Sequence, residues 1–481
     1  MSAYRRRAVI ALAGLALGVP AVGAHAAAPA SVAVVSPTVL VVAPGGSDLA
    51  AGTVAAPLAT IQVAVDRLTH GGRVELRGGT YHQRVRLVGV HSVMLEPYHH
   101  EHAVLSGAGL TPPAGISALV EVANSTAVTV SGLDLTAHRT TKLDVTPAGI
   151  YVHGHDHGVR ITGNRVHDLG NTNDTLGSFD INAHGIAVYG DDPHASVSDL
   201  TIAGNRVDHL RLGASESVVV NGNVDHWVIS RNRIRDNDNI GIDAIGYEET
   251  LTGSVRYTNT NRARNGVIAD NVVQRIRSKG NPAYWEGGSG ANTQWCNCAD
   301  GIYVDGGSHI HITGNRVASN DIGIEVAAEN PRGEADHVRT DHNRITGSLY
   351  VGIATGGYCN GADDCGGVRT GRSVHNVFEH NVLRDNNGLD DGSPELLVQY
   401  YTSYLVFRYN TITATNHGHV VYGTVPGGTS HGNLSDHNVF RATGSYLLPV
   451  SFAWSGRTYT SFWAYRGATG QDRHSSLRHV R

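Results

Sequence analysis

A single right-handed parallel β-helix, all-β apart from a helical cap at its N-terminal end, is the fold that three features of the sequence predict. The first is an internal repeat of short segments. The second is their pattern: each is rich in β-branched residues, alternates apolar and other residues, and is bounded by Gly or Asn. The third is composition, with 59 Gly and only 16% charged residues among 481, a glycine-rich and charge-poor balance. Length alone suggests two or three domains. A solenoid removes that limit, because stacked coils bury a long prism instead of a sphere.

The first element is an address. Arg5, Arg6 and Arg7 precede an apolar stretch from Ala8 to Val22, and Ala24-His25-Ala26 fits a signal-peptidase site. Residues 1–26 are expected to be a cleaved signal peptide and the mature protein to be secreted. The stretch is short for a membrane span and no later segment is long enough, so no transmembrane helix is predicted. Four cysteines in an exported chain imply disulfides. A local Cys359–Cys365 bridge is the easiest geometry. A Cys296–Cys298 bridge closes a very tight ring, which leaves pairing between the two loops open.

Residues 27–118 are expected to hold a linker, a capping helix and the first strands. In PLATIQVAVDRL (57–68), Ile61, Ala64, Val65 and Leu68 share one helical face, and VELRGGTY (74–81) reads as a strand. The stretch from Ala43 to Tyr81 resembles the opening of family nine polysaccharide lyases and of several β-helix glycosidases, secreted carbohydrate enzymes of the pectin-lyase-like fold. The resemblance implies a right-handed β-helix acting on a polysaccharide.

Residues 119–443 form the coils. One segment type reads VRITGNRVHDL (159–169) and recurs down to LVFRYNTITAT (405–415), aligning Asn164, Asn205, Asn232, Asn271, Asn315, Asn343, Asn381 and Asn410. Asn at a fixed turn tolerates left-handed backbone and can hydrogen-bond to the next coil, so these residues read as structural. The second type includes GIAVYG (185–190), SVVVNG (217–222), GIDAIG (241–246), GIYVDG (301–306) and GIEVAA (323–328). Residues 444–481, with Tyr446, Phe452, Trp454, Tyr459, Phe462, Trp463 and Tyr465, supply aromatics to cap the far end.

The Gly-Ile strands carry the chemistry. With Ile302 and Val304 in the core, Tyr303 and Asp305 face out. The same register sets Asp243, Tyr303 and Glu325 side by side, with Asp305 one step along, on what is expected to be an exposed sheet face. Asp243 and Glu325, two strands apart, are expected about 9–10 Å apart at the backbone. Tyr189 and Asn221 extend this face, and Glu248 and Glu329 lie beyond the strand ends. Insertions at 247–265, 278–298, 329–336 and 358–372 wall it. They bring Tyr257, Tyr284, Trp285, Trp295 and Tyr358, flat rings suited to sugar stacking. Arg256, Arg262, Arg264, Arg275, Arg277 and Lys279 cluster in the same stretch and suit an acidic glycan. His153, His155 and His157 alternate at a coil turn, where their side chains need not converge on a metal.

Three function classes follow. A glycoside hydrolase needs one carboxylic acid and one carboxylate. Asp305 is assigned as the acid, with Asp243 or Glu325 as the base and no cofactor. A uronate lyase of the kind the resemblance implies needs Ca2+, with Asp238, Asp243, Asp300 and Asp305 as ligands and Lys279 or Arg264 as base. The family's D-D-G-F-D calcium motif is matched in part by Asp238-Asn-Ile-Gly-Ile-Asp243 and by Ala299-Asp300-Gly-Ile-Tyr303. The only lysines are Lys142 and Lys279, which weighs toward the hydrolase. A non-catalytic glycan-binding protein would keep the aromatics without needing three acids. The net charge of −5 excludes a generally basic nucleic-acid binder. The expected partner is a polysaccharide and the expected state a monomer.

Overall fold

Three short strands make one coil, and the Asp300–Asp305, Ser308–Thr313 and Arg316–Ala318 strands are a clear case. The chain then returns at Ile322–Ala327, which pairs in parallel with Asp300–Asp305. The computed structural model describes residues 38–289, 292–361, 367–414, 420–425, 429–443 and 450–480. The expected signal peptide and the residues up to 37 lie outside the described residues, as do Cys365 and Tyr446.

Repetition of that coil generates three long sheets, one of sixteen strands and two of thirteen. Among the described residues all strand pairings within them are parallel except the last hairpin, Ser451–Trp454 with Arg457–Tyr459. This is the right-handed parallel β-helix that the repeat predicts. The sheet that carries the site holds His184–Gly190, Val218–Gly222, Ile242–Ile245, Asp300–Asp305, Ile322–Ala327 and Val351–Thr355 in that order. Its inward residues, Ile186, Val188, Val220, Ile242, Ile302, Val304 and Ile324, are fully buried in one continuous core.

The asparagines form a ladder along the axis. Asn271 Oδ1 accepts from the backbone N–H and the side-chain amide of Asn232 at 2.9 and 3.0 Å. Its own amide donates to the Ile229 carbonyl and to Asn315 Oδ1 at 2.9 and 3.0 Å. The pattern continues through Asn410 to Asn438. One expectation needs correction. The left-handed residue is the one before each asparagine, as at Gly163, Arg231, Asp270 and His342. The turn is made there, which leaves the asparagine side chain free to point into the ladder.

Helix α1 (Ile61–Arg67) covers the front of the core. Thr60 caps its N-terminus, and Ile61, Ala64 and Val65 are buried. Helix α2 (Phe462–Thr469) buries Phe462 and Tyr465, which pack against Phe440 and Phe452. Cys296 is bonded to Cys298 and not across to the other loop. Their Cα atoms are 5.4 Å apart, inside the usual range.

Candidate active site

The Gly-Ile strands stack in the expected register. Val219, Asp243, Tyr303, Glu325 and Ala354 form one row across successive coils. Tyr189, Asn221 and Ile245 form the next, with Asp305 beside Ala327 further on. A third row holds His184 and Asp300, each before the glycine of its strand, and Glu216, which precedes Ser217. Strict alternation would turn these three inward. The glycine breaks the alternation because it faces the core itself: a Cβ on Gly185 would sit 2.8 Å from Val207 Cγ1, and one on Gly301 2.7 Å from Val317 Cγ1. Residues before the glycine are thereby returned to the outer face.

That face is not exposed, contrary to the sequence expectation. Asp243, Asp300, Asp305 and Glu325 are only 2–6% exposed, because the insertions fold down over them. Asn261 fastens one wall by donating to the carbonyls of Glu248, Leu251 and Arg256. Asn281 fastens the other by donating to the Gly213 and Asp238 carbonyls at 2.8 and 2.9 Å. What remains open is a cavity of about 440 Å³ lined by Gly246, Glu248, Glu249, Arg256, Asp305, Glu329 and Asn330.

Burial and mutual repulsion dominate the electrostatics. Burial, then the charges of Glu216 and Asp305, pushes Asp243 well above the usual carboxylate range. Burial with Glu325 and Glu329 does the same to Asp300. Asp305 is raised by burial and by Glu329, against the Glu329 N–H that donates to its Oδ1 at 2.6 Å. Glu325 is pushed up to about 8 and Glu329 to about 7 by burial and by neighbouring carboxylates. Glu248 is raised by burial and Glu216, but Asn221 opposes this by donating to Glu248 Oε2 at 2.7 Å. Asp243 Oδ1, Asp300 Oδ1, Tyr303 Oη and Asn239 Oδ1 are buried without a hydrogen-bond partner, while Glu216 Oε2 lies 3.4 Å from His184 Nδ1. Buried polar atoms are nearly always paired, so their concentration on one face marks a site built for polar contacts from outside the chain.

Not every sequence-predicted site residue belongs here. Tyr303 sits among the acids, 3% exposed. Tyr189 approaches His184 Nε2 at 3.4 Å, and Tyr284 Oη accepts from Asn239 at 3.1 Å. Trp285 and Trp295 pair with each other across a short antiparallel ribbon of the 278–298 insertion. Lys279 is exposed in that insertion. Arg264 lies on the adjoining sheet, 3.4 Å from Asp225, and Asp225 together with Asn223 holds it there. Asp238 is occupied, accepting from the Leu212 N–H at 2.6 Å and facing Arg211 at 3.3 Å. The arginine cluster likewise disperses: Arg262 pairs with buried Asp336, and Arg275 with Asp236. Of that cluster only Arg256 lines the cavity. His153, His155 and His157 diverge to Asp191, Asp192 and Asp199. Sequence reasoning missed His184 and Glu216. Their signal was the residue before each glycine or serine of the repeat.

The fold and this face define a parallel β-helix protein with a loop-walled, carboxylate-rich cleft. The chain is 34% identical over 442 residues to the uncharacterized protein YwoF of Bacillus subtilis, covering 91% of this chain and 86% of YwoF. It belongs to the YwoF family. A shorter match, 33% identical over 138 residues, covers 27% of this chain and 34% of pectate lyase PEL9 of Emericella nidulans. Among solved structures, the GH136 lacto-N-biosidase of Eubacterium ramulus shares the fold at 12% identity with a TM-score of 0.51, covering 92% of this chain and 67% of that one. No protein-family model matches the chain.

Proposed function

We propose that this protein hydrolyses glycosidic bonds of a polysaccharide, with Asp305 as general acid and Glu248 as general base. The observation that carries the reading is that both line the 440 Å³ cavity. Burial and the Glu329 charge keep Asp305 protonated, as a proton donor to a leaving oxygen must be. Glu248 is raised as well, by burial and the Glu216 charge, but Asn221 donates to its Oε2, opposes that shift and fixes its orientation. Glycoside hydrolysis requires two carboxyl groups whose surroundings differ, and here only Glu248 has a side-chain amide opposing its upward shift. Asp243 and Glu325 do not line that cavity, and Glu325 acts on Asp305 through charge, which revises their expected role as bases. The substrate is a neutral glycan, since Arg256 is the one basic side chain lining the cavity to meet a uronate carboxylate.

The match to a pectate lyase and the lone oxygens of Asp243 and Asp300 favour a second reading, a calcium-dependent lyase. The donor chemistry suits a hard cation. The arrangement does not, because among the described residues the sets of three ligand atoms within 4.8 Å of one another lie elsewhere. The base expected for it, Lys279 or Arg264, is also not on this face. We further propose that the chain is exported and monomeric. Among the described residues no helix is long and apolar enough to cross a membrane. Mass measurement of the mature N-terminus, expected near Ala27, and light scattering in solution test these two points.

The deciding experiment incubates the protein with neutral and acidic polysaccharides, with calcium or with chelator. New reducing ends are followed together with the ultraviolet absorbance of unsaturated uronates. Reducing ends without absorbance, indifferent to chelator, are expected on a neutral glycan. Absorbance that disappears with chelator would replace this reading with the lyase. Binding without cleavage across the panel would leave a glycan-binding protein.

A further inference from the structure

The turns just before the ladder asparagines carry rings stacked coil on coil, from His342 through His380 and Tyr409 to His437 and His474. Near the C-terminal end one such stack closes on a carboxylate. Asp436 ends the Leu434–Asp436 strand, and His437 follows it in left-handed backbone with φ of 59°. His474 lies one coil later, two residues before the last strand, Ser476–Val480. Asp436 Oδ2 is 2.7 Å from His474 Nδ1 and 3.5 Å from His437 Nδ1. The other oxygen accepts the backbone N–H groups of His437 and His474 at 2.8 and 2.7 Å. Those two bonds fix the carboxylate with its free edge between the imidazoles, whose centroids are 4.9 Å apart.

We propose that Asp436, His437 and His474 bind one first-row transition-metal ion such as Zn2+, which ties the final strand to the coil beneath it. All three ligand atoms lie within 4.8 Å of one another. A tetrahedral zinc site with bonds of about 2.0–2.2 Å sets its ligand atoms roughly 3.3–3.5 Å apart. The 3.5 Å contact already meets that spacing, and the 2.7 Å contact needs only a small opening. Two imidazoles and one carboxylate suit zinc, and solvent completes the coordination. The aspartate brings the needed charge, since no arginine or lysine pairs with it among the described residues.

A second trio, His309, Asp336 and His337, meets the same spacing but lacks that charge. The buried Arg262 guanidinium holds Asp336 Oδ1, and Ser308 and His337 occupy its Oδ2 at 3.2 and 2.7 Å. A metal there would have to break a buried ion pair. This trio is therefore the internal control.

The test titrates chelator-treated full chain with Zn2+ by calorimetry and with Co2+ by visible absorption, and reads Tm alongside. One equivalent is expected, with the intense absorption of tetrahedral Co2+ and a rise in Tm of about 3–6 °C at saturating zinc. His474→Ala should abolish all three and His337→Ala should leave them. Asp436→Asn, checked for native circular dichroism, guards against misfolding of the histidine variant. Zinc should also slow amide exchange over residues 476–480. No binding, or binding that survives both His474→Ala and Asp436→Asn, overturns the site. Binding without slower exchange over the last strand overturns the tie.

Discussion

Burial sets what each carboxylate of the cleft can do. Asp305 owes its raised affinity for a proton to desolvation first and to the Glu329 charge second. Replacing Glu329 by Gln removes that charge while the backbone N–H that caps Asp305 stays. The Asp305 pKa then falls, and the alkaline limb of the pH–rate profile should move toward acid. Asp305→Asn should lower kcat by a factor on the order of 10²–10⁴ with little change in fold. Stability moves the opposite way at Glu325. Its folded pKa of about 8 lies above the ordinary value of 4.5, so its contribution to stability is complete below about pH 4.5 and is lost as pH rises through about 8. Glu325→Gln cannot ionise and should be more stable than the parent at pH 8.5 by about 1–3 kcal/mol, with no difference at pH 4. Urea melts at the two pH values check the sign.

At the scale of one strand, the glycine matters more than the acids around it. Alternation along Asp300–Asp305 was readable, and it placed Tyr303 and Asp305 on the correct side. It could not place His184, because period two assumes an unbroken strand. The core-facing glycine inserts a bend that a list of side chains does not reveal. A Cβ at Gly301 would lie 2.3 Å from Asn320 Nδ2 and 2.7 Å from the Gly323 carbonyl oxygen. Gly301→Ala should therefore cost about 1–3 kcal/mol and shift Asp300, which is visible as lost activity beyond what the lower stability explains. The insertions were readable as walls from length and composition alone. Their closeness over the acids was not, since it depends on Asn281 reaching carbonyls that are remote in sequence.

Along the whole molecule the asparagine ladder runs like a spine from Asn164 to Asn438. Each amide is buried and saturated by the coils on either side, so removal of one orphans partners in both directions. Asn271→Ala, in the middle of the ladder, should destabilise the protein by about 2–4 kcal/mol without changing the pH–rate profile, as denaturant unfolding and kinetics together would report. The repeat by itself determined the fold, the register of the outward rows and the structural role of the asparagines. Each of these depends on neighbours one coil apart, and a periodic sequence states such neighbours directly. Tertiary structure alone decided that the acid face is roofed, that Arg264 and Asp238 turn to other partners, and that Glu248 joins Asp305 at the cavity. Those outcomes depend on how irregular insertions settle over a regular sheet, where no period links a residue to what it will touch.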